Sequence, residues 1–311
     1  MNHISVLAKE VLEYLHPNSN ENFIDGTIGQ GGHTKLVLEK NGPEGRVLGI
    51  DFDAKQIENS KLALKAFGSR VVLINDSYVN MKEIVAKQQF GPVNGILLDL
   101  GYSSWHLESS KRGFSFQKDE PLDMRYSAVG DITAEKIVNE YSQDQIQQML
   151  EEYGEEKFAK QIAKEIVTQR HIKKIESTFE LIDIIAKARY GYKSAIPTLA
   201  QGQGRGLSIW ALAQIGARTF QALRIAVNKE LESVLDVLPD AFSLLAPGGR
   251  LVVISFHSLE DRIVKNFFRQ AEKEQKGIII TKKPVMAHEQ EIEINPRSRS
   301  AKLRVFIKTR I

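Results

Sequence analysis

The 311-residue sequence predicts an α/β protein: a Rossmann-like, mostly parallel sheet carrying an inserted α-helical subdomain. A glycine-rich turn, Asp25-Gly-Thr-Ile-Gly-Gln-Gly-Gly-His33, lies between an apolar strand end and a helical apolar pattern. Short apolar runs alternate with helical patterns on both sides of residues 108–215. Between them, 108–215 reads as helices, and the chain closes on two short strands.

In chain order, Val6 to Leu15 has helical spacing and Pro17 stops it. Asn22-Phe23-Ile24 ends a short buried strand, and Thr34 to Leu38 begins a helix, so the glycines occupy a strand-to-helix turn. Nucleotide-like ligands bind at such turns, where glycine supplies backbone angles closed to other residues and lets the main chain approach closely. The next strand, Arg46 to Ile50, ends in Asp51, roughly 20 residues after Gly31, where such folds place a ribose-binding acid. The glycine order is Gly-x-x-Gly-x-Gly-Gly, not the Gly-x-Gly-x-x-Gly that seats a pyrophosphate. An adenosine ligand without a pyrophosphate is favoured, S-adenosylmethionine being the commonest. The alternative is a turn with no ligand, which the acid at this distance disfavours.

Ala54 to Phe67 reads as a helix, Val71 to Asn75 as a strand and Met81 to Gln89 as a helix. Tyr78 follows that strand either as a packing surface for adenine or as an ordinary strand-end aromatic. Val93 to Asp99 is an apolar run ending in an acid, followed by Leu100-Gly101-Tyr102-Ser103-Ser104, the pattern of a central parallel strand at its carboxyl edge. A buried strand has little reason to end in an unpaired acid, so Asp99 and its loop are expected to face the reacting end of the ligand.

The region 108–215 reads as an inserted helical subdomain, with 1–107 and 216–311 as the discontinuous core. Ser142-x-x-Gln145 and Ser177-x-x-Glu180 are capping boxes, and Gly154 marks a helix stop. Lys157, Lys160 and Lys164 share one helical face, Phe158, Ile162 and Ile166 another, and Arg170, His171, Lys173 and Lys174 extend the positive charge. Plain solvation is the ordinary reading of such a face; RNA contact needs support from elsewhere. Gly191 to Gly206 reads as a mobile loop and a candidate lid.

The sheet resumes after a long helical pattern from Thr219 to Leu245, with a turn at Ala246-Pro-Gly-Gly249 and a strand at Arg250 to Ser255. Phe256 to Arg262 leads into a helix ending near Phe268. Gly277 to Thr281 and Leu303 to Ile307 read as an antiparallel pair. A mostly parallel sheet closed by such a pair is the plan of class I methyltransferases, whereas dehydrogenase folds usually continue with parallel units.

With 42% hydrophobic and 26% charged residues the chain is an ordinary globular one. It has no cysteine, which excludes disulfides, Cys-based zinc sites and thiolate nucleophiles. No metal is expected. No signal-peptide core or long uncharged apolar run is present, so the protein is read as cytoplasmic with no membrane partner. Net charge is +3, but basic residues gather near the end: Lys282, Lys283, Arg297, Arg299, Lys302, Arg304, Lys308 and Arg310. Two basic stripes on a nearly neutral protein suggest phosphate contacts.

Several stretches together resemble one family. They are 25–33, Gly95-Ile-Leu-Leu-Asp-Leu-Gly101, Arg112-Gly-Phe-Ser-Phe116, Pro121-Leu-Asp-Met-Arg125, Tyr153-Gly-Glu-Glu-Lys-Phe-Ala159, Arg218-Thr-Phe-Gln-Ala-Leu-Arg-Ile225, 254–265 and Asn295-Pro-Arg-Ser-Arg-Ser-Ala301. The resemblance is to the bacterial 16S ribosomal RNA cytosine-N4 methyltransferases, the MraW or RsmH family, and it includes the insert. It implies S-adenosylmethionine as cofactor and, as target, the cytosine at position 1402 of 16S rRNA near the decoding centre. Carried onto matching positions, cofactor contacts fall at Gly31, Gly32, His33, Asp51, Tyr78 and Asp99. His106 is a further one, standing where the family's Ser-Ser-Pro-Gln reads Ser103-Ser104-Trp105-His106. A second departure is Gln214-Ile-Gly-Ala217 before Arg218.

Methylating an exocyclic amine is an in-line displacement that needs positioning and help with one proton, not a covalent intermediate. Methylation of cytosine carbon 5 usually needs a cysteine nucleophile, which this chain lacks. Asp99 is expected to orient the cofactor or the amine, with Ser103 as a further acceptor. Lys157, Lys160, Lys164, Arg297 and Arg299 are expected to contact RNA flanking an unstacked base. A nicotinamide oxidoreductase would share the glycine turn and Asp51, and a non-catalytic RNA-binding protein would keep the basic stripes. An amino-methylating DNA enzyme usually has paired prolines after its acid, where this chain has Leu100-Gly101. The sequence leaves open homodimerisation and whether the substrate is free 16S rRNA or the assembled small subunit.

Overall fold

The computed structural model describes residues 4–101, 104–127, 130–191 and 209–309. The chain forms two compact units, Met1–Gly101 with Leu231–Ile311, and Tyr102–Glu230.

The first unit opens with α1 (Ala8–Leu15), which buries Val11 and Leu15. There follow β1 (Phe23–Asp25), α2 (Gly32–Lys40), β2 (Val47–Asp51), α3 (Ala54–Ala63), β3 (Val71–Asn75), α4 (Met81–Gln88) and β4 (Val93–Asp99). The helix expected through Phe67 ends at Ala63 and continues as a 3₁₀ turn, where Gly68 sits at φ 55°.

The second unit holds α5 (Ser104–Glu108), α6 (Ala134–Glu140), α7 (Gln143–Gly154), α8 (Ala159–Arg170), α9 (Thr178–Tyr190) and α10 (Ile209–Asn228). Both capping boxes form: Ser142 and Ser177 accept from the backbone N–H groups of Gln145 and Glu180, whose side chains cap in return. Apolar faces of α6 to α10 meet in one core that includes Ile137, Leu150, Ile162, Ile185 and Leu223. Phe220, Ala222 and Leu223 of α10 belong to that core, so this unit extends to Glu230 and not only to residue 215.

The first unit then resumes along α11 (Glu230–Leu244) and continues through β5 (Leu245–Ser255), α12 (Ser258–Lys273), β6 (Gly277–Ile279), α13 (Glu289–Ile294) and β7 (Lys302–Lys308). The single helix expected from Thr219 to Leu245 is thus two, broken at Lys229 with φ 50°, and α12 runs past Phe268. The seven strands lie in the order β3-β2-β1-β4-β5-β7-β6. The first five are mutually parallel; β7 is antiparallel to both β5 and β6, the terminal hairpin expected. Strands such as β4, with Ile96, Leu97 and Leu98 all buried, read as unbroken apolar runs because both faces are covered. Asp25, Asp51 and Asp99 therefore end three neighbouring parallel strands at one edge of the sheet. Among the described residues no helix is long and apolar enough to cross a membrane.

Candidate cofactor site

The glycine turn is tied to both neighbouring strands. Gly26 N–H donates to Leu97 O, Ile28 N–H to Ile50 O, and Gly29 N–H to Asp51 Oδ2, each at 2.9 Å. Gly29 and Gly31 stand at φ 52° and 83°, which L-residues adopt only with strain. Gly32 has a different reason: a Cβ there would lie 2.1 Å from Ser5 Oγ, so the N-terminal segment packs on its bare Cα. That segment is itself held by α13 and the residue after it, through Leu7 N–H to Glu291 Oε1 (2.7 Å) and Asn295 Nδ2 to Ile4 O (3.1 Å).

Three carboxylates and one imidazole converge here. Asp25 is buried, and its oxygens accept from Thr34 Oγ1 (2.7 Å) and Thr27 N–H (3.2 Å). Burial pushes its pKa up, offset in part by these donors and by His33. Asp51 accepts from Gly29 N–H and Asp53 N–H, yet burial still pushes it up to about 7, with Asp53 and Asp25 adding repulsion. Asp99 is fixed through its main chain, its N–H donating to Thr27 Oγ1 at 2.7 Å. Its Oδ2 lies 3.6 Å from His33 Nε2, and its buried Oδ1 has no hydrogen-bond partner among the described residues. Burial alone would lower the His33 pKa, but Asp99, Asp25 and Glu291 outweigh it and the net shift is upward. The Asp99 carboxylate also raises the Asp25 pKa, as Asp25 does that of Asp51.

S-adenosylmethionine fits this set. Its cationic sulfonium and ammonium suit a cluster of carboxylates, and its hydroxyls and ammonium are donors of the kind that a buried acceptor such as Asp99 Oδ1 needs.

The other expected site residues divide. Tyr78 opens a 3₁₀ turn after β3, half-buried against the sheet core. Ser103 lies outside the described residues, as does 192–206 of the loop read as a lid. His106 belongs to the helical unit, where its buried ring makes edge contacts with Trp105, Phe114 and Tyr126 at 5.1 to 5.4 Å between centroids. Lys157, just before α8, and Lys160 and Lys164 on it are exposed, with no ion pair among the described residues. The extension of that stripe is corrected: Lys173 pairs with Glu180, Lys174 with Glu135, and Arg170 donates to Val138 O and Tyr141 O. In the C-terminal cluster Arg299 is exposed and Arg297 half-exposed, whereas Arg304 is bound to Asp261 and Lys308 to the carbonyls ending α11. Asp25, Thr27 and Thr34 carry no role in the sequence reading, although Asp25 opens the glycine motif.

Comparison with known proteins shows the family. A model of the MraW methylase family matches residues 1–309. A ribosomal RNA small subunit methyltransferase H from Heliobacterium mobile is 43% identical over 319 aligned positions, covering 97% of each chain. The protein of the same description from Clostridioides difficile is 41% identical, again covering 97% of both. A solved rRNA methylase from Streptococcus thermophilus aligns over 97% of this chain and 93% of its own, with 10% identity and a TM-score of 0.44. With the family model spanning the glycine turn, the acid-ended strands, the helical insert and the terminal hairpin, the chain belongs to the MraW methylase family.

Proposed function

We propose that this protein methylates the exocyclic N4 of a cytosine in 16S rRNA of the small ribosomal subunit, the decoding-centre cytosine that the family resemblance implies, by direct in-line transfer. The relatives named as small-subunit ribosomal RNA methyltransferases support the RNA as target. The observation that carries the chemistry is Asp99 Oδ1, a buried acceptor without a partner at the carboxyl edge of a central strand. Such an atom costs free energy unless a ligand donor satisfies it.

Bound here, S-adenosylmethionine supplies a methyl group on a positively charged sulfur. Gly31 and Gly32 begin α2 and give the main chain close access, Asp51 accepts ribose hydroxyls, and Tyr78 lies where adenine packs. Asp99 accepts a donor from the cofactor or the target amine, and His33 holds the other Asp99 oxygen in place. Ser103, four positions after Asp99 in the sequence, is the further acceptor in this reading. His106, its ring packed against Phe114 and Tyr126, is the further cofactor contact in this reading. Lys157, Lys160, Lys164, Arg297 and Arg299 bind phosphates flanking the unstacked base.

The test uses purified protein, methyl-labelled S-adenosylmethionine and small subunits lacking the modification, followed by nucleoside analysis. Label in N4-methylcytidine is expected, and a parallel run on free 16S rRNA identifies the substrate form. Label in a carbon-methylated base, or none in RNA, would overturn the proposal.

A further inference from the structure

Methyl transfer to an amine leaves one proton to be removed; in the cofactor site Asp25 is held by Thr34 and Thr27, and His33 has Asp99 Oδ2 at 3.6 Å from its Nε2. One strand over, β5 ends beside Asp99. Ile254 pairs with Asp99, and Leu100 N–H donates to Ile254 O at 2.9 Å. A Cβ on Gly101 would lie 3.5 Å from Phe256 Cδ2, so the chain leaving β5 runs against the chain leaving β4.

The residue after Phe256 is His257, at the position preceding α12. Its side chain is 8% exposed, and neither ring nitrogen has a hydrogen-bond partner among the described residues. It makes no capping bond to the helix it precedes. The ring is nevertheless anchored. Glu260, itself 1% exposed, places Oε1 at 3.2 Å from His257 Nε2 while its Oε2 accepts Phe256 N–H at 2.9 Å. One carboxylate thus fixes both the backbone before the histidine and one face of its ring, leaving Nδ1 unspent. A buried imidazole oriented by an acid through one nitrogen and unpaired at the other is the arrangement general bases use.

We propose that His257 is the proton acceptor for the target amine, with Glu260 as its positioning residue. The inference rests on the reading that the amine of a cytosine is methylated. The amine nitrogen's electron pair forms the new N–C bond. The C–S bond breaks with its pair going to sulfur, and one N–H proton passes to His257 Nδ1 and from there to solvent. A base at this step is worth about 10²-fold or more in turnover.

Steady-state methylation of small subunits by wild type, His257→Gln and His257→Ala tests this, alongside S-adenosylhomocysteine affinity and added free imidazole. The expected result is a fall in kcat of about 10²-fold for both variants. Cofactor affinity stays within about twofold, and imidazole restores part of the His257→Ala turnover, which a packing role would not produce. Wild-type turnover in both variants overturns the assignment. So does a loss that tracks cofactor affinity or folding and ignores imidazole. If the wild type places no label in N4-methylcytidine, the target reading fails first and this assignment with it; the wild-type control separates the two failures.

Discussion

His33 Nε2 and Asp99 Oδ2 lie 3.6 Å apart, joining the first turn of the helix after the glycine loop to the end of a central strand. The nearby carboxylate favours the charged imidazole in a buried place, pushing its pKa up, and the second oxygen of Asp99 has no hydrogen-bond partner among the described residues.

Removing that partner reverses the balance on the imidazole. Burial then acts with less opposition, so Asp99→Asn should bring the His33 pKa down from above the ordinary histidine range. An NMR titration of the imidazole in both proteins checks this, and an unchanged midpoint would mean that Asp25 and Glu291 suffice.

Asp51 should make cofactor binding depend on pH. Its carboxyl titrates near 7 in the folded protein against 3.8 for a free group. The folded state holds this proton more tightly, so the group's stabilising effect is complete below about pH 4 and is lost as pH rises to 7. Hydroxyl donors and a cationic ligand favour the ionised form. Affinity should therefore rise with pH up to about 7, by at most about tenfold per unit, and then level off. Calorimetry in buffers of different ionisation heat should show about half a proton released near pH 7, rising toward one as pH falls below it, and no such release from Asp51→Asn.

Replacing Lys157, Lys160 and Lys164 together by Gln should weaken RNA binding at low salt and reduce the slope of log affinity against log salt by about 2 to 3. Filter binding across a salt series measures it. Lys173 and Lys174, paired with Glu180 and Glu135, should change the slope little when replaced in the same way.

Arg304 and Asp261 form a bidentate, largely buried pair, Nε to Oδ1 at 2.6 Å and Nη2 to Oδ2 at 3.0 Å, which ties α12 to β7. Asp261→Ala leaves the guanidinium uncompensated and should cost about 3 to 5 kcal/mol in denaturant unfolding, whereas replacing both by apolar residues should recover much of that loss.

The sheet was legible because its strands are apolar runs ending in acids, and because β6 and β7 stand apart as a terminal pair. The capping boxes at Ser142 and Ser177 were legible because their partners lie three residues on. What stayed hidden depends on partners distant in sequence. Lys229 breaks the long helix in a left-handed conformation for which a lysine gives no signal, and that break ends the helical unit at Glu230. Lys174 finds its acid 39 positions back at Glu135, and Arg304 finds Asp261 43 positions back, so a charge run in the sequence becomes structural ion pairs in the fold. Gly32 packs against Ser5, a neighbour 27 positions back that the glycine motif does not signal. His106 matched a polar position of the motif and lies among three aromatic rings.

The most direct measurement is calorimetric titration of wild type and Asp99→Asn with S-adenosylmethionine under conditions where both unfold at the same midpoint. Asn keeps the shape of the side chain and removes only its charge and part of its accepting capacity. The account predicts that the wild type binds and that the variant loses about tenfold or more in affinity, as expected for a hydrogen bond to a charged group. Equal affinity in the two proteins would contradict the placement of the cofactor against Asp99.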